Sequence, residues 1–224
     1  LNDSYSTLLN ALGHRFSNHE ILTLALTHRS AGGRNNERLE FLGDALVNAV
    51  VAQALFLSDD DMEEGDLSRL RASLVNQETL ADVARELDLG SYLILGPGEL
   101  KSGGYRRSSI LADALEAVIG AVFLDAGFDA AGAVVLRLLG RRLTEAPPAE
   151  SLKDSKTRLQ EVLQARNLPL PAYSVESVRG EPHRQIFRVS CKIDALQINT
   201  EGEAASRRSA EQEAARRALE IIPQ

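Results

Sequence analysis

Residues 37–47 read ERLEFLGDALV, and the spacing within this stretch decides how the rest of the chain is taken. Leu39, Leu42 and Leu46, continued by Val50, recur every three or four residues, as the buried stripe of a helix must. Glu37, Glu40 and Asp44 fall at i, i+3 and i+7, one above another on a single face beside that stripe. Three like charges in one column repel, and an apolar neighbourhood that strips their water makes the repulsion worse. Asp113 and Glu116 repeat the i, i+3 arrangement inside an apolar helix expected over 110–124. Oxygen ligands without His or Cys among them suit a hard cation such as Mg²⁺. Spacing by itself favours the plainer alternative, solvated acids on helix faces, in a chain with 32 Asp and Glu.

Outward from this stretch, the three- and four-residue period persists from Thr7 to Leu143 and no period-two alternation appears, which predicts an all-α domain over 1–144. Breaks are expected at 31–36, 58–64 and 90–107, the last containing Gly-Pro-Gly and Gly103-Gly104. The segment EAPPAE at 145–150 is short, polar and proline-bearing, and reads as a linker. Beyond it the period changes. Asp154 is a candidate N-cap for a helix to about Asn167, followed by alternating segments at 173–175, 187–193 and 196–198 and a second helix over 206–222. The order α-β-β-β-α over 151–224, with both helices on one sheet face, is a small α+β domain, so the chain as a whole is multidomain.

The net charge of −7 divides unevenly. Residues 1–150 carry 13 Lys and Arg against 22 Asp and Glu, a balance of −9, and residues 151–224 carry 12 against 10, a balance of +2. A carboxylate-rich half cannot lie on a polyanion unless cations intervene, whereas a basic half can meet phosphates directly. The single cysteine, Cys191, excludes an intramolecular disulfide framework and a multi-cysteine zinc site. The first thirty residues do not resemble a signal peptide and no apolar run approaches the length of a membrane span, so no membrane partner is expected and the expected compartment is the reducing cytoplasm.

The basic half carries three features of its own. Arg207 and Arg208 open the second helix, where cations oppose the helix dipole at a cost of roughly 0.3–1 kcal/mol each, so an anion such as phosphate would offset them. Thr157, Gln160, Glu161 and Gln164 form a polar stripe opposite Leu159, Val162 and Leu163, suited to 2′-hydroxyls and base edges in the shallow minor groove of A-form RNA. The turn Gly180-Glu181-Pro182-His183 would project a polar tip. Solvated surface residues are the plain alternative for each.

Taken as written strings, residues 37–47 together with EGDLSRLR at 64–71, LGPGELKSGGYRRSSILAD at 95–113 and EAVIGAVFLD at 116–125 closely resemble the bacterial ribonuclease III family over essentially the whole acidic half. The 151–224 half resembles the double-stranded-RNA-binding domain, with two departures: Ala204 where a glycine is frequent, and Glu211 at a basic position. The resemblance implies an all-α ribonuclease III nuclease domain followed by that α+β domain. It implies a homodimeric endonuclease that cuts double-stranded RNA with Mg²⁺, for which Mn²⁺ would substitute. Glu40, Asp113 and Glu116 would bind metal, Asp44 and Glu116 would be catalytic, and Glu37 and Glu64 would support the site or contact RNA. Thr157, Gln160, Glu161 and His183 would enter minor grooves, and Arg207 and Arg208 would hold phosphates. Dimerisation would use the signature helix, with Phe41 in the interface, so that each subunit cuts one strand and leaves a short 3′ overhang. Metal-assisted water attack would give 5′-phosphate and 3′-hydroxyl ends. Ribosomal, messenger and transfer RNA precursors are the implied substrates.

Two other readings are weaker. His28 with His14 or His19 would serve histidine acid-base cleavage only if two rings converged on one phosphate, which their spacing does not predict, so structural or surface roles are expected. A non-catalytic relative would lack acids or the second domain, and an acidic helical scaffold would leave the basic α-β-β-β-α half unexplained.

Overall fold

The computed structural model describes residues 5–181 and 183–222. It divides into two compact units, Leu1–Ala149 and Glu150–Gln224. The first is helical, with α1 (Ser6–Leu12), α2 (His19–Ala25), α3 (Glu37–Phe56), α4 (Glu64–Leu74), α5 (Gln77–Glu86), α6 (Pro97–Lys101) and α7 (Ser108–Thr144). Its core is the crossing of α3 and α7, lined by Leu46, Val47, Val50, Leu115, Ile119 and Val122, all buried.

That crossing depends on two glycines. A Cβ at Gly43 would lie 1.8 Å from the Glu116 carbonyl oxygen, and one at Gly120 would lie 2.3 Å from the Leu39 carbonyl oxygen. Only glycine lets the two backbones meet this closely. Helices α3 and α7 are each long and apolar enough, by length and composition, to cross a membrane, as the core helices of a folded domain also are, and here they pack their apolar sides into the core of this unit.

Several boundaries differ from those the sequence suggests. The stretch 90–107 is more than a turn: α6 starts with Pro97 in its first turn, where a missing N–H costs nothing, and lies between the 3₁₀ turns Leu89–Tyr92 and Gly104–Arg106. Further breaks follow α1, at Gly13 with φ 71°, and divide α4 from α5, where Asn76 accepts from Thr79 N–H at 2.9 Å. Helix α7 is kinked at Gly127, where φ 85° and ψ −177° are not helical. Leu42, expected in the buried stripe, is only half-buried.

The second unit is α8 (Ser155–Ala165), β1 (Ala172–Arg179), β2 (Ile186–Ile193), β3 (Ile198–Ala204) and α9 (Arg207–Ile221). The sheet is antiparallel in the order β1-β2-β3, with Cys191 opposite Tyr173 on one side and Thr200 on the other. Leu159 and Leu163 of α8 and Ala214, Ala215 and Ala218 of α9 close over Cys191 and Ile193. Asp154 and Ser206 cap the two helices, accepting from Thr157 N–H and Ser209 N–H. Helix α8 ends short of the expected Asn167, which takes φ 56° and so cannot continue it.

The third strand is the largest difference. Residues 194–196, the last of which the sequence assigns to a strand, form a 3₁₀ turn, Gln197 is left-handed at φ 53°, and the strand runs on to Ala204. Its sequence INTEGEA hides the pairing, since after Ile198 the inner face is supplied by Thr200 and Gly202. A Cβ at Gly202 would meet the Ala210 carbonyl oxygen at 2.2 Å, so α9 packs directly on backbone there. Of the expected turn 180–183, Gly180 has φ 98° and His183 is exposed. Pro182 lies outside the described residues.

Candidate metal and nucleic-acid sites

The α3–α7 crossing sets acids from two helices face to face. One oxygen each from Glu40, Asp113 and Glu116 can be chosen so that all lie within 4.8 Å of one another. The electrostatics register the crowding. Burial, then Asp44, Asp113 and Glu40, push the Glu116 carboxyl up to about 8. Burial is also the main force raising Glu40, helped by Asp113 and Glu37, and burial raises Asp113, with the nearby His28 and Arg29 acting the other way. A cluster that resists ionisation as strongly as this is one that a cation would relieve, and its all-oxygen donors fit a hard divalent ion.

The remaining acids take distinct places. Asp44 is exposed on the next turn of α3, its Oδ1 accepting from Asn48 Nδ2 at 2.9 Å, and its charge reaches Glu116. Glu37 lies 3.6 Å from Arg29 Nη1, and its N–H donates to Asn35 Oδ1 at 3.1 Å. Glu64 is not gathered into the cluster within this chain. It opens α4, accepts from Ser68 Oγ at 2.8 Å and borders a hollow with Phe56, Leu67 and Arg71. Phe41 is 79% exposed on α3.

Beside the acids is a cleft of about 310 Å³ whose lining includes Glu37, Glu40 and Asp113 together with His28, Arg29 and Arg107. Those last three are residues that sequence reasoning does not single out as a group. Arg107 is held by Glu99 at 3.1 Å. His14, by contrast, is structural: its Nε2 lies 2.9 Å from Asp125 Oδ2, and among the described residues neither it nor His19 lines the cleft that His28 borders.

In the second unit, Thr157 and Gln160 of α8 share a hollow of about 530 Å³ with Arg208 of α9, Lys156 and Tyr173. Glu161 is exposed and tied to Lys153 Nζ at 2.8 Å. Arg207 differs from its expected state. Its charge at the start of α9 is already offset by Glu211, whose Oε1 accepts from Arg207 Nε at 2.8 Å. Glu211 also accepts from Lys156 Nζ at 2.6 Å, and Lys156 stands 4.4 Å from the Tyr173 ring centre. Arg208 forms no ion pair among the described residues, so it is the cation of the two free to meet a phosphate.

Comparison with known proteins gives matching results for both units. Residues 18–143 match the family described as Ribonuclease-III-like, and residues 155–222 match the double-stranded RNA binding motif. Ribonuclease 3 of Hahella chejuensis is 58% identical over 212 residues, covering 95% of this chain and 94% of that protein. Ribonuclease 3 of Vibrio cholerae is 54% identical over 215 residues, 96% of each. Among solved structures, a nuclease domain of ribonuclease III from Campylobacter jejuni is similar at 45% identity with a TM-score of 0.60, covering 61% of this chain and 96% of that one. That Campylobacter domain has structural flexibility in a region involved in dimer formation.

Proposed function

Because this chain belongs to the ribonuclease III family and is an endoribonuclease acting on double-stranded RNA, we propose that the acids between α3 and α7 are its catalytic centre and hold Mg²⁺, with Mn²⁺ able to substitute. The observation that carries this is the approach of Glu40, Asp113 and Glu116 to within 4.8 Å with Glu116 held near 8. When bound, the metal lowers the pKa of a water and stabilises the leaving 3′-oxygen.

The chain's own residues divide the remaining work. Glu40, Asp113 and Glu116 bind the cation through carboxylate oxygens. Glu116, the most buried of the three acids, is the group whose ionisation depends most on that cation. Asp44, whose Oδ1 accepts from Asn48, is the acid assigned to orient the attacking water and take its proton, a reading supported by its charge acting on Glu116. Glu37 and Glu64 support the site or meet RNA. The products are 5′-phosphate and 3′-hydroxyl ends.

The second unit grips the duplex. Thr157, Gln160, Glu161 and His183 face minor grooves, Arg208 faces a phosphate directly, and Arg207, engaged by Glu211, is the weaker phosphate contact beside it. Two copies pair through α3, where the exposed Phe41 is an apolar anchor, and two sites related by a two-fold axis cut opposite strands with a short 3′ overhang. The enzyme acts in the cytoplasm on ribosomal, messenger and transfer RNA precursors. Incubation with a long RNA duplex, with and without Mg²⁺, followed by mapping of product ends, tests this. Cleavage without any divalent cation, or 2′,3′-cyclic phosphate ends, would overturn the mechanism.

A further inference from the structure

The cleft beside the acids contains a ring whose hydrogen bonds fix its chemistry. His28 Nδ1 accepts from Ser30 N–H at 3.2 Å and lies 2.8 Å from Ser30 Oγ. That hydroxyl accepts from Gly96 N–H at 2.9 Å, which leaves its own proton to point at Nδ1. A nitrogen that accepts from a backbone amide carries no proton, so the neutral ring bears its proton on Nε2.

Backbone contacts hold the segment that carries the ring. His28 N–H donates to the Ile94 carbonyl at 3.0 Å, and Ile94 N–H donates to the Leu26 carbonyl at 2.9 Å. A Cβ at Gly96 would lie 2.0 Å from the Ser30 carbonyl oxygen, so a glycine is what lets this loop reach the serine. The ring borders the same cleft as Glu40 and Asp113, yet Nε2 has no hydrogen-bond partner among the described residues.

In this tautomer neither ring nitrogen offers a free lone pair. His28 is therefore neither a metal ligand nor a general base, and what Nε2 can do is donate. Its neighbours on the cleft wall are carboxylates, and the nearby cations are engaged, Arg29 with Glu37 and Arg107 with Glu99. We propose that His28 Nε2–H donates a hydrogen bond to a backbone phosphate oxygen of the RNA strand lying in this cleft, fixing that strand against the acids. The inference rests on the reading of the cleft as the catalytic centre. It adds a substrate contact from a residue outside the acidic set.

Full-length protein and a short RNA duplex test it. His28→Asn keeps an amide near Ser30 but leaves nothing at the Nε2 position, whereas His28→Gln carries an N–H donor out to that position. A hydrogen bond to a charged phosphate is lost in the first, so kcat/KM should fall about tenfold or more. The glutamine should recover most of that loss. Equal loss in both variants, or none in the asparagine, would overturn the assignment. Ring ¹⁵N spectra of the unmodified protein should show Nε2 protonated and Nδ1 bare, and the opposite tautomer would overturn it without recourse to any variant. Glu116→Gln run alongside separates the two ideas. If that variant still cleaves, the reading of the acids fails, while a dead Glu116→Gln beside a fully active His28→Asn sinks only the His28 contact.

Discussion

Gly43 on α3 faces the main chain of Glu116 on α7 with no room between them: a Cβ at position 43 would lie 1.8 Å from the Glu116 carbonyl oxygen. The residue that allows the helices to cross thus stands one turn after Glu40 and directly before Asp44, and it touches the residue proposed to be central to catalysis. Gly43→Ala should force the helices apart, since the obstruction is backbone and cannot rotate away. Overpacking of this kind costs roughly 1–3 kcal/mol or more. A lowered unfolding midpoint together with a large loss of cleavage is expected. Cleavage at the normal rate in a stable Gly43→Ala protein would show that the crossing distance does not set the site.

Glu116→Gln removes a charge while keeping the side chain's shape. Cleavage should be abolished even at saturating Mg²⁺, and binding of duplex RNA should persist, because the second unit is untouched. Without metal the variant should unfold no earlier than the parent, as a neutral amide avoids the cost that burial, and then Asp44, Asp113 and Glu40, impose on an ionised carboxylate there. Calcium should support binding by the unmodified protein without turnover, since it takes more ligands at longer distances. Efficient cutting with Ca²⁺ alone would count against the proposed chemistry.

Asp125 supplies a pH-dependent contribution away from the acids. Burial opposes its ionisation, but Ser17 Oγ at 2.7 Å, Asn18 N–H at 3.0 Å, Ser17 N–H at 3.1 Å and His14 Nε2 at 2.9 Å outweigh that and hold it near 2. A carboxyl depressed on folding stabilises above its unfolded value, near 3.8, and loses that stabilisation as pH falls toward 2. Asp125→Ala should therefore lower stability at pH 7 by ~2 kcal/mol, taking one pKa unit as 1.36 kcal/mol. It should also flatten the fall in stability between pH 4 and 2, which acid titrations of unfolding followed by circular dichroism would measure. An unchanged acid profile would mean that this latch does not bind the ionised form preferentially.

The acids are legible in the sequence because spacing alone places Glu40 and Asp44 on one helix face, and the string around them is distinctive. What brings Asp113 and Glu116 to meet them is not, because Gly43 and Gly120 act by having no side chain and therefore leave no period. Strand β3 is caught by periodicity only at its first residue, Ile198, for the same reason. Its later inward positions are Thr200 and Gly202, so α9 packs on backbone and no apolar alternation marks the rest of the strand. Arg207 looks unpartnered at a helix start because its partner, Glu211, departs from a basic pattern and yet acts as an i+4 acid. His28 has no second histidine to point to a role, and only the loop at 94–96, far along the chain, shows what holds its ring. Glu64 remains apart from the cluster within this chain, and no sequence spacing could indicate that.

The final prediction concerns how the two halves share the work. A chain truncated after Ala146 keeps α3, α7 and every proposed metal ligand, and Thr144 already ends α7. It should fold, pair and cut duplex RNA at low salt with ample Mg²⁺, but with weakened affinity. Residues 151–224 alone should bind duplex RNA without cleaving it, in a manner that depends steeply on salt and little on sequence, because neutralised phosphates release counterions. Within that unit the two arginines should not be equal. Arg207 is already engaged by Glu211, while Arg208 forms no ion pair among the described residues and opens on the hollow shared with Thr157 and Gln160. Arg208→Ala should make the plot of log affinity against log salt shallower by about one phosphate contact, close to ~0.9 in slope, and Arg207→Ala by less. Filter binding or fluorescence anisotropy across a salt series would measure both. A larger change for Arg207→Ala would show that RNA displaces Glu211 from its arginine, and failure of residues 151–224 to bind duplex RNA at all would remove the second unit from substrate recognition.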